Sequence, residues 1–232
     1  MHTTPGLITA WVHGWSVSRG AAEPQPHDWG FTIDVGLLDQ VTRHVIASPT
    51  EDVVRKLAES SAARGMWLKV FVDEETVRPW LTPGWEFAPP GYLMHTALTE
   101  PAKPTKPTQP TSQTQPTTPT TIPDGFRLRT WTRGGVTQAL LTAPDGSLAA
   151  RGQVAPTGPT AVFDRIETSP AHRRRGFGSL VMDTLGAAAR NAGAQTGVLG
   201  ATVAGRGLYE SLGWHVQAPL TSIRFAGAAE PA

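Results

Sequence analysis

Apolar residues along this chain fall into short segments whose period switches between two and about 3.6, the sign of strands alternating with helices. Residues 161–168 (AVFDRIET) read as a strand carrying Phe163, ended by Ser169-Pro170, because proline cannot donate to a ladder. Ser179 to Asn191 sets Leu180, Val181, Thr184, Leu185 and Ala188 at helical spacing, and Gly193 closes that helix. A strand near Thr196 to Leu199 and a short helix holding Leu208-Tyr209 follow; Gly213 ends the helix and Trp214 starts the next strand. Ahead of these, Phe126 to Trp131 passes through Arg133-Gly134-Gly135 into a hairpin around Pro144-Asp145-Gly146.

The first hundred residues repeat this order. Val45-Ile46-Ala47-Ser48-Pro49 leads into a helix with Val53, Val54, Leu57, Ala58 and Ala62 on one face. Gly65 ends it, the strand WLKVFV (67–72) follows, and Arg78 to Trp85 closes the series. Ser48-Pro49 meets Ser169-Pro170, Gly65 meets Gly193, and Gly84-Trp85 meets Gly213-Trp214. Two readings stand for the N-terminal lobe: a worn copy of the C-terminal one, or an unrelated α/β domain.

Between the two lies Glu100 to Pro123 (EPAKPTKPTQPTSQTQPTTPTTIP), with Ile122 as its lone anchor for a core. Its prolines favour an extended, solvated chain, which predicts a flexible linker. A ligand for a proline-reading module is the alternative. At 232 residues the chain accommodates two small domains, 1–99 and 124–232.

A net charge of +1 gives no global field suited to nucleic acid or an anionic membrane, and the basic cluster His172 to Arg175 has no companion stripe or stacking aromatics. No apolar run approaches the length of a membrane span, and the N-terminus lacks the regions of a signal peptide. The expectation is a cytoplasmic monomer or homodimer. With no cysteine, disulfides, thiolate metal sites and a cysteine nucleophile are excluded, and no metal is predicted.

The candidate chemistry starts at Ser169 to Leu185 (SPAHRRRGFGSLVMDTL). Arg173, Gly176 and Gly178 fall in the order R-x-x-G-x-G, which lets a backbone wrap closely around an anion before the N–H groups of a helix. Such a pattern also occurs by chance at helix N-termini. The order is neither the dinucleotide fingerprint nor a Gly-Lys-Ser/Thr nucleotide loop. The matching N-terminal stretch is Thr50-Glu51-Asp52, whose carboxylates suit a helix start and would repel a pyrophosphate.

With the later element Leu208, Tyr209, Gly213 and Trp214, residues 126–225 resemble the GCN5-related N-acetyltransferase (GNAT) family. There R-x-x-G-x-G binds the pyrophosphate of acetyl-CoA, and L-Y-x-x-x-G-F carries a tyrosine beside the thioester; Trp214 stands here for Phe. The resemblance implies a mixed, mostly antiparallel α/β sheet with helices on both faces, preceded by a smaller degenerate GNAT-like lobe without a coenzyme loop. It implies acetyl-CoA as co-substrate, held by Arg173, Arg174, Arg175, Gly176, Phe177, Gly178 and Ser179, with the pantetheine arm along Ile166 to Thr168.

An amine acceptor, small molecule or protein, must lose a proton before it attacks. Asp164 is the favoured base, with Glu167 as runner-up on the opposite face by strand alternation; an ion pair of Asp164 with Arg151 or Arg165 is the structural alternative. Tyr209 is the candidate acid for the departing thiolate, or else a packed helix tyrosine. The function so implied is N-acetyl transfer to a primary amine by direct attack in a ternary complex; a non-catalytic acyl-CoA sensor is the alternative. The two helices that usually follow the family's first strand are missing from the pattern, and the N-terminal lobe, with Trp11, His13, Trp15, His27 and Trp29, is the expected substitute wall.

Overall fold

A computed structural model describes residues 4–98 and 122–227. Residues 100–121 of the Pro/Thr-rich segment lie outside the described residues. The chain folds as two compact units, and their make-up does not follow chain order. One comprises Met1–His95 and Val198–Ala232, the other Thr96–Gly197.

The first unit opens with α1 (Thr4–Arg19), which buries Leu7, Ile8, Trp11, Val12 and Trp15. Strands β1 (Gln25–His27), β2 (Gly30–Leu37) and β3 (Gln40–Ile46) form an antiparallel meander. The crossover helix α2 (Glu51–Ser60) then returns the chain to β4 (Met66–Val70), parallel to β3. A short α3 (Glu74–Val77), a 3-10 turn, β5 (Trp85–Phe87) and β6 (Gly91–Ala97) complete the N-terminal run. Val54, Ala58, Leu68, Val70, Val77 and Ile223 pack in one cluster against α2. Each buried Val, Leu or Ile of that cluster contributes about 1.5–3 kcal/mol by leaving water.

Ile223 belongs to the far end of the chain. The last strand, β12 (His215–Phe225), pairs antiparallel with β4 through Thr221 to Arg224 and with β6 through His215 to Leu220. The N-terminal sheet is therefore completed by C-terminal residues, a pairing that no local pattern announces.

The second unit is an antiparallel run of β7 (Arg127–Arg133), β8 (Val136–Thr142), β9 (Leu148–Thr157) and β10 (Thr160–Thr168). Hairpins turn at Gly134-Gly135 and around Asp145-Gly146, as the turn residues predict. Among the described residues no helix intervenes from β7 to β10. After them α4 (Phe177–Asn191) buries Phe177, Val181, Met182, Leu185 and Ala189. It sits close because Gly152 has no side chain: a Cβ there would lie 2.5 Å from Ile166 Cδ1 and 2.8 Å from Val181 Cγ1. The strand β11 (Thr196–Thr202) and α5 (Val203–Ser211) then lead to β12.

Candidate functional site

Strand β10 delivers the favoured carboxylate and the anion loop. Asp164 pairs with Gln153 and Glu167 with Arg151, so three steps on β10 match two on β9. This is a β-bulge, with Arg165 in the left-handed region at φ 53°. Gln153 and Arg151 share one face of β9, so Asp164 and Glu167 share it too. The opposite-face expectation from simple alternation is thereby corrected, since the extra residue in the bulge restores the phase. Ile166 turns the other way, toward Gly152 and α4.

The two carboxylates are held differently. Glu167 is ion-paired to Arg151 at 2.8 Å, both half exposed, a pairing of at most about 1 kcal/mol. Asp164 Oδ1 accepts the backbone N–H of Arg165 at 2.9 Å, a bond the bulge makes possible. On the same face, Trp131, Gln138, Leu140, Arg151, Gln153 and Arg165 line a cavity of about 230 Å³.

Beyond β10 the loop folds over its own side chains. The Arg175 guanidinium lies 5.0 Å from the Phe126 ring and 4.9 Å from the Phe177 ring, and its Nη1 is 3.1 Å from His172 Nδ1. Arg173 Nε donates to the Thr168 carbonyl at 3.4 Å. Arg174 and Gly176 are both left-handed, at φ 61° and 76°. Gly176 caps α4 with no side-chain hydrogen bond, and the first turn contains no acidic residue. The first helical bond runs from Leu180 N to Gly176 O. The N–H groups of Phe177, Gly178 and Ser179 therefore precede the i to i−4 ladder and point out of the helix end, where the macrodipole is positive. What the turn offers an anion is backbone, with Arg173 and Arg175 tethered beside it.

Tyr209 belongs to the first unit. It is 7% exposed in the last turn of α5, with Trp214 packed 6.1 Å from its ring. Trp214 N donates to Tyr209 O and Gly213 N to Glu210 O, with Gly213 at φ 79°. That is a Schellman cap, and it accounts for the glycine of the Leu-Tyr-x-x-x-Gly-Trp element independently of any ligand. Leu81, which precedes Gly84-Trp85 in the N-terminal series, packs against the α2 core.

The aromatic residues proposed as a wall divide. Trp11 and Trp15 are 4% and 5% exposed in α1. His13 meets the edge of Phe31, while exposed His27 stacks on Trp29 at 4.6 Å. Their neighbours include two residues that the sequence pattern does not single out, Arg43 and Lys69, both buried. Lys69 stands between Leu68 and Val70 in an apolar strand, whereas Arg43 lies between Thr42 and His44, where nothing local marks it as buried. Among the described residues no group of three or more His, Asp or Glu could hold a metal, and no helix is long and apolar enough to cross a membrane.

The model of the acetyltransferase (GNAT) family matches residues 111–214. No curated protein sequence matches the chain. Among solved structures, a GCN5-related N-acetyltransferase from Kribbella flavida aligns with TM-score 0.60 at 15% identity, over 98% of this chain and 97% of that one. A GCN5-related N-acetyltransferase from Sphaerobacter thermophilus aligns with TM-score 0.55 at 11% identity, over 87% and 78%. A tandem GNAT protein from the clavulanic acid biosynthesis pathway aligns with TM-score 0.50 at 13% identity, over 76% and 68%. At these identities the likeness is one of fold, and it extends through the N-terminal lobe.

Proposed function

From the GNAT-family acetyltransferase domain that this chain carries over residues 111–214, we propose that the protein transfers an acetyl group from acetyl-CoA to a primary amine by direct attack in a ternary complex. The observation that carries the coenzyme assignment is the N-terminal turn of α4. It has a glycine cap, no side-chain acceptor on its N–H groups and no acidic residue, directly after three arginines. A pyrophosphate suits such a turn, since the donors and the dipole are already in place before it binds. Ile166 and Thr168 would offer backbone groups to the pantetheine arm, beside Arg173, Arg174, Arg175, Gly176, Phe177, Gly178 and Ser179.

In the chemistry so assigned, Asp164 takes a proton from the acceptor ammonium, directly or through water. The amine then attacks the thioester carbonyl, and the C–S bond breaks as the tetrahedral intermediate collapses. Tyr209 gives its phenol proton to the leaving thiolate, and the proton that the adduct nitrogen sheds as it becomes the amide restores the phenol, directly or through water. No acyl-cysteine intermediate is available, because the chain has no cysteine.

Incubation with acetyl-CoA and a panel of amines, following thiol release and acetylated product, tests this reading. Amine-dependent turnover is the expected result. Asp164→Asn should lower it by roughly 10² to 10⁴ with acetyl-CoA affinity nearly unchanged. Full turnover in Tyr209→Phe would remove the acid role. Coenzyme binding without amine-dependent turnover would favour the sensor.

A further inference from the structure

The face of the antiparallel run that turns away from α4 is ordered in two cross-strand rows. Across β7 to β10, Trp131 lies opposite Gln138, Gln138 opposite Gln153, and Gln153 opposite Asp164. The neighbouring row is Arg129, Leu140, Arg151 and Glu167. Directly paired residues share a face, and Gly152 and Ile166, which meet α4, mark the other one.

The cavity of about 230 Å³ is set into these rows. Gln153, at 6% exposure, lies at its base, while Trp131, 43% exposed, and Leu140 supply apolar surface. Arg165 enters from the bulge, in a left-handed conformation (φ 53°) that arginine rarely adopts. A dry cavity of about 150 Å³ holds a benzene ring, so this one has room for a side chain of that size together with a polar end.

Its lining holds two arginines and no carboxylate. Glu167 Oε2 offsets one of them, accepting from Arg151 Nε at 2.9 Å and Nη2 at 2.8 Å. The cavity therefore keeps about one positive charge, the complement of a monoanion. Asp164 lies outside the lining, one cross-strand step from Gln153, or about 5 Å between Cβ atoms. A cation site and an acidic group at that separation match the two charges of a zwitterion.

We infer that the acceptor is a free amino acid with an apolar side chain. Its carboxylate is held by Arg165 and the remaining N–H groups of Arg151, its side chain lies against Trp131 and Leu140, and its ammonium faces Asp164. The inference rests on Asp164 acting as the base of the transfer. The N–C bond forms as the thioester C–S bond breaks, coenzyme A leaves as the thiol, and one ammonium proton passes through Asp164 to solvent. Arg165 thereby determines specificity through the acceptor's charge, at a distance from the bond that breaks.

The test compares L-phenylalanine with L-phenylalaninol, which keeps the shape and lacks the carboxylate, as acceptors for the full chain with acetyl-CoA. The expected kcat/KM is at least about tenfold higher for phenylalanine. Arg165→Asn removes the charge with a residue that tolerates the left-handed backbone, and should bring the ratio to about one; Arg165→Lys should keep most of it. Gln138→Glu places a carboxylate in the cavity and should invert the preference. Because each variant is read as a ratio of two acceptors, a general loss of activity does not imitate the effect. Equal use of both acceptors by the natural chain, or a ratio unmoved in Arg165→Asn and Gln138→Glu, overturns the inference and leaves the transfer reading standing. If no amine is turned over, the transfer reading and the acceptor role fall together. Calorimetric titration with N-acetyl-L-phenylalanine and N-acetyl-L-phenylalaninol then decides the cavity alone: saturable binding of the carboxylate that is lost in Arg165→Asn supports the carboxylate site, and equal or absent binding removes it.

Discussion

Two strand-to-helix junctions in this chain leave the same Ser-Pro dipeptide and arrive at different helix ends. At Ser48-Pro49, Thr50 caps α2 through its side chain, which accepts from Val53 N, and Glu51 and Asp52 fill the first turn. At Ser169-Pro170 an arginine-rich turn is inserted, and α4 begins at Gly176 with neither side-chain cap nor carboxylate. One junction satisfies its own N–H groups and the other leaves them outward. The strands differ in the same sense. Counted back from Ser-Pro, Arg43 stands where Asp164 does and His44 where Arg165 does. β3 pairs in regular register with β4, whereas β10 bulges at Arg165. A junction closed by its own chemistry supports the fold, while one left open has capacity for a ligand.

The sharpest way to break this comparison is to give α4 the chemistry of α2. Gly178→Asp places a carboxylate in the first turn of α4, where the macrodipole favours it by roughly 0.3–1 kcal/mol. Folding stability should hold or rise slightly, yet acetyl-CoA affinity should fall about 100-fold, near 2.7 kcal/mol, by repulsion of the pyrophosphate. Calorimetric titration with acetyl-CoA beside a thermal melt reads both. Unchanged affinity would return the α4 turn to an ordinary helix start.

The converse substitution acts on α2. Thr50→Ala removes the side-chain acceptor of Val53 N and should cost about 1 kcal/mol of stability, read by urea denaturation. Acetyl-CoA affinity should not change. A drop in affinity with no loss of stability would mean that the N-terminal junction serves the coenzyme and is not a degenerate copy.

Much of this contrast could be read in the chain, because it rests on local rules. Gly176 and Gly178, the acidic pair after Thr50, and the turns at Gly134-Gly135 and Asp145-Gly146 each determine their own conformation within a few residues. The bulge at Arg165 was not legible, since no glycine marks it and an arginine occupies the left-handed position. Nor was the insertion of β12 between β4 and β6, which couples residues such as Lys69 and Ser222 that lie far apart in sequence. The buried Lys69 followed from that pairing, and an alternating pattern alone treats such a lysine as a strand's solvent face.

The smallest expected effect separates the two junctions by pH. His44, on the strand entering α2, is buried with Nδ1 at 3.0 Å from Thr32 Oγ1 and Nε2 at 3.0 Å from Ser61 Oγ. Burial, then the nearby His27, lowers its pKa below the ordinary 6.5, with Asp34 opposing weakly. A base whose folded pKa is depressed leaves the unfolded chain holding more protons in the window between the two values. Stability is therefore full above about pH 6.5 and falls as the pH drops toward the folded value, below which the loss is complete. Urea midpoints measured at pH 7.5 and pH 5 should show this fall in the natural chain and a smaller one in His44→Gln, whose amide can still meet Thr32 and Ser61. Equal falls would mean that His44 is already charged in the folded protein, and that the α2 junction carries a cation on this face as well as on the face of Arg43.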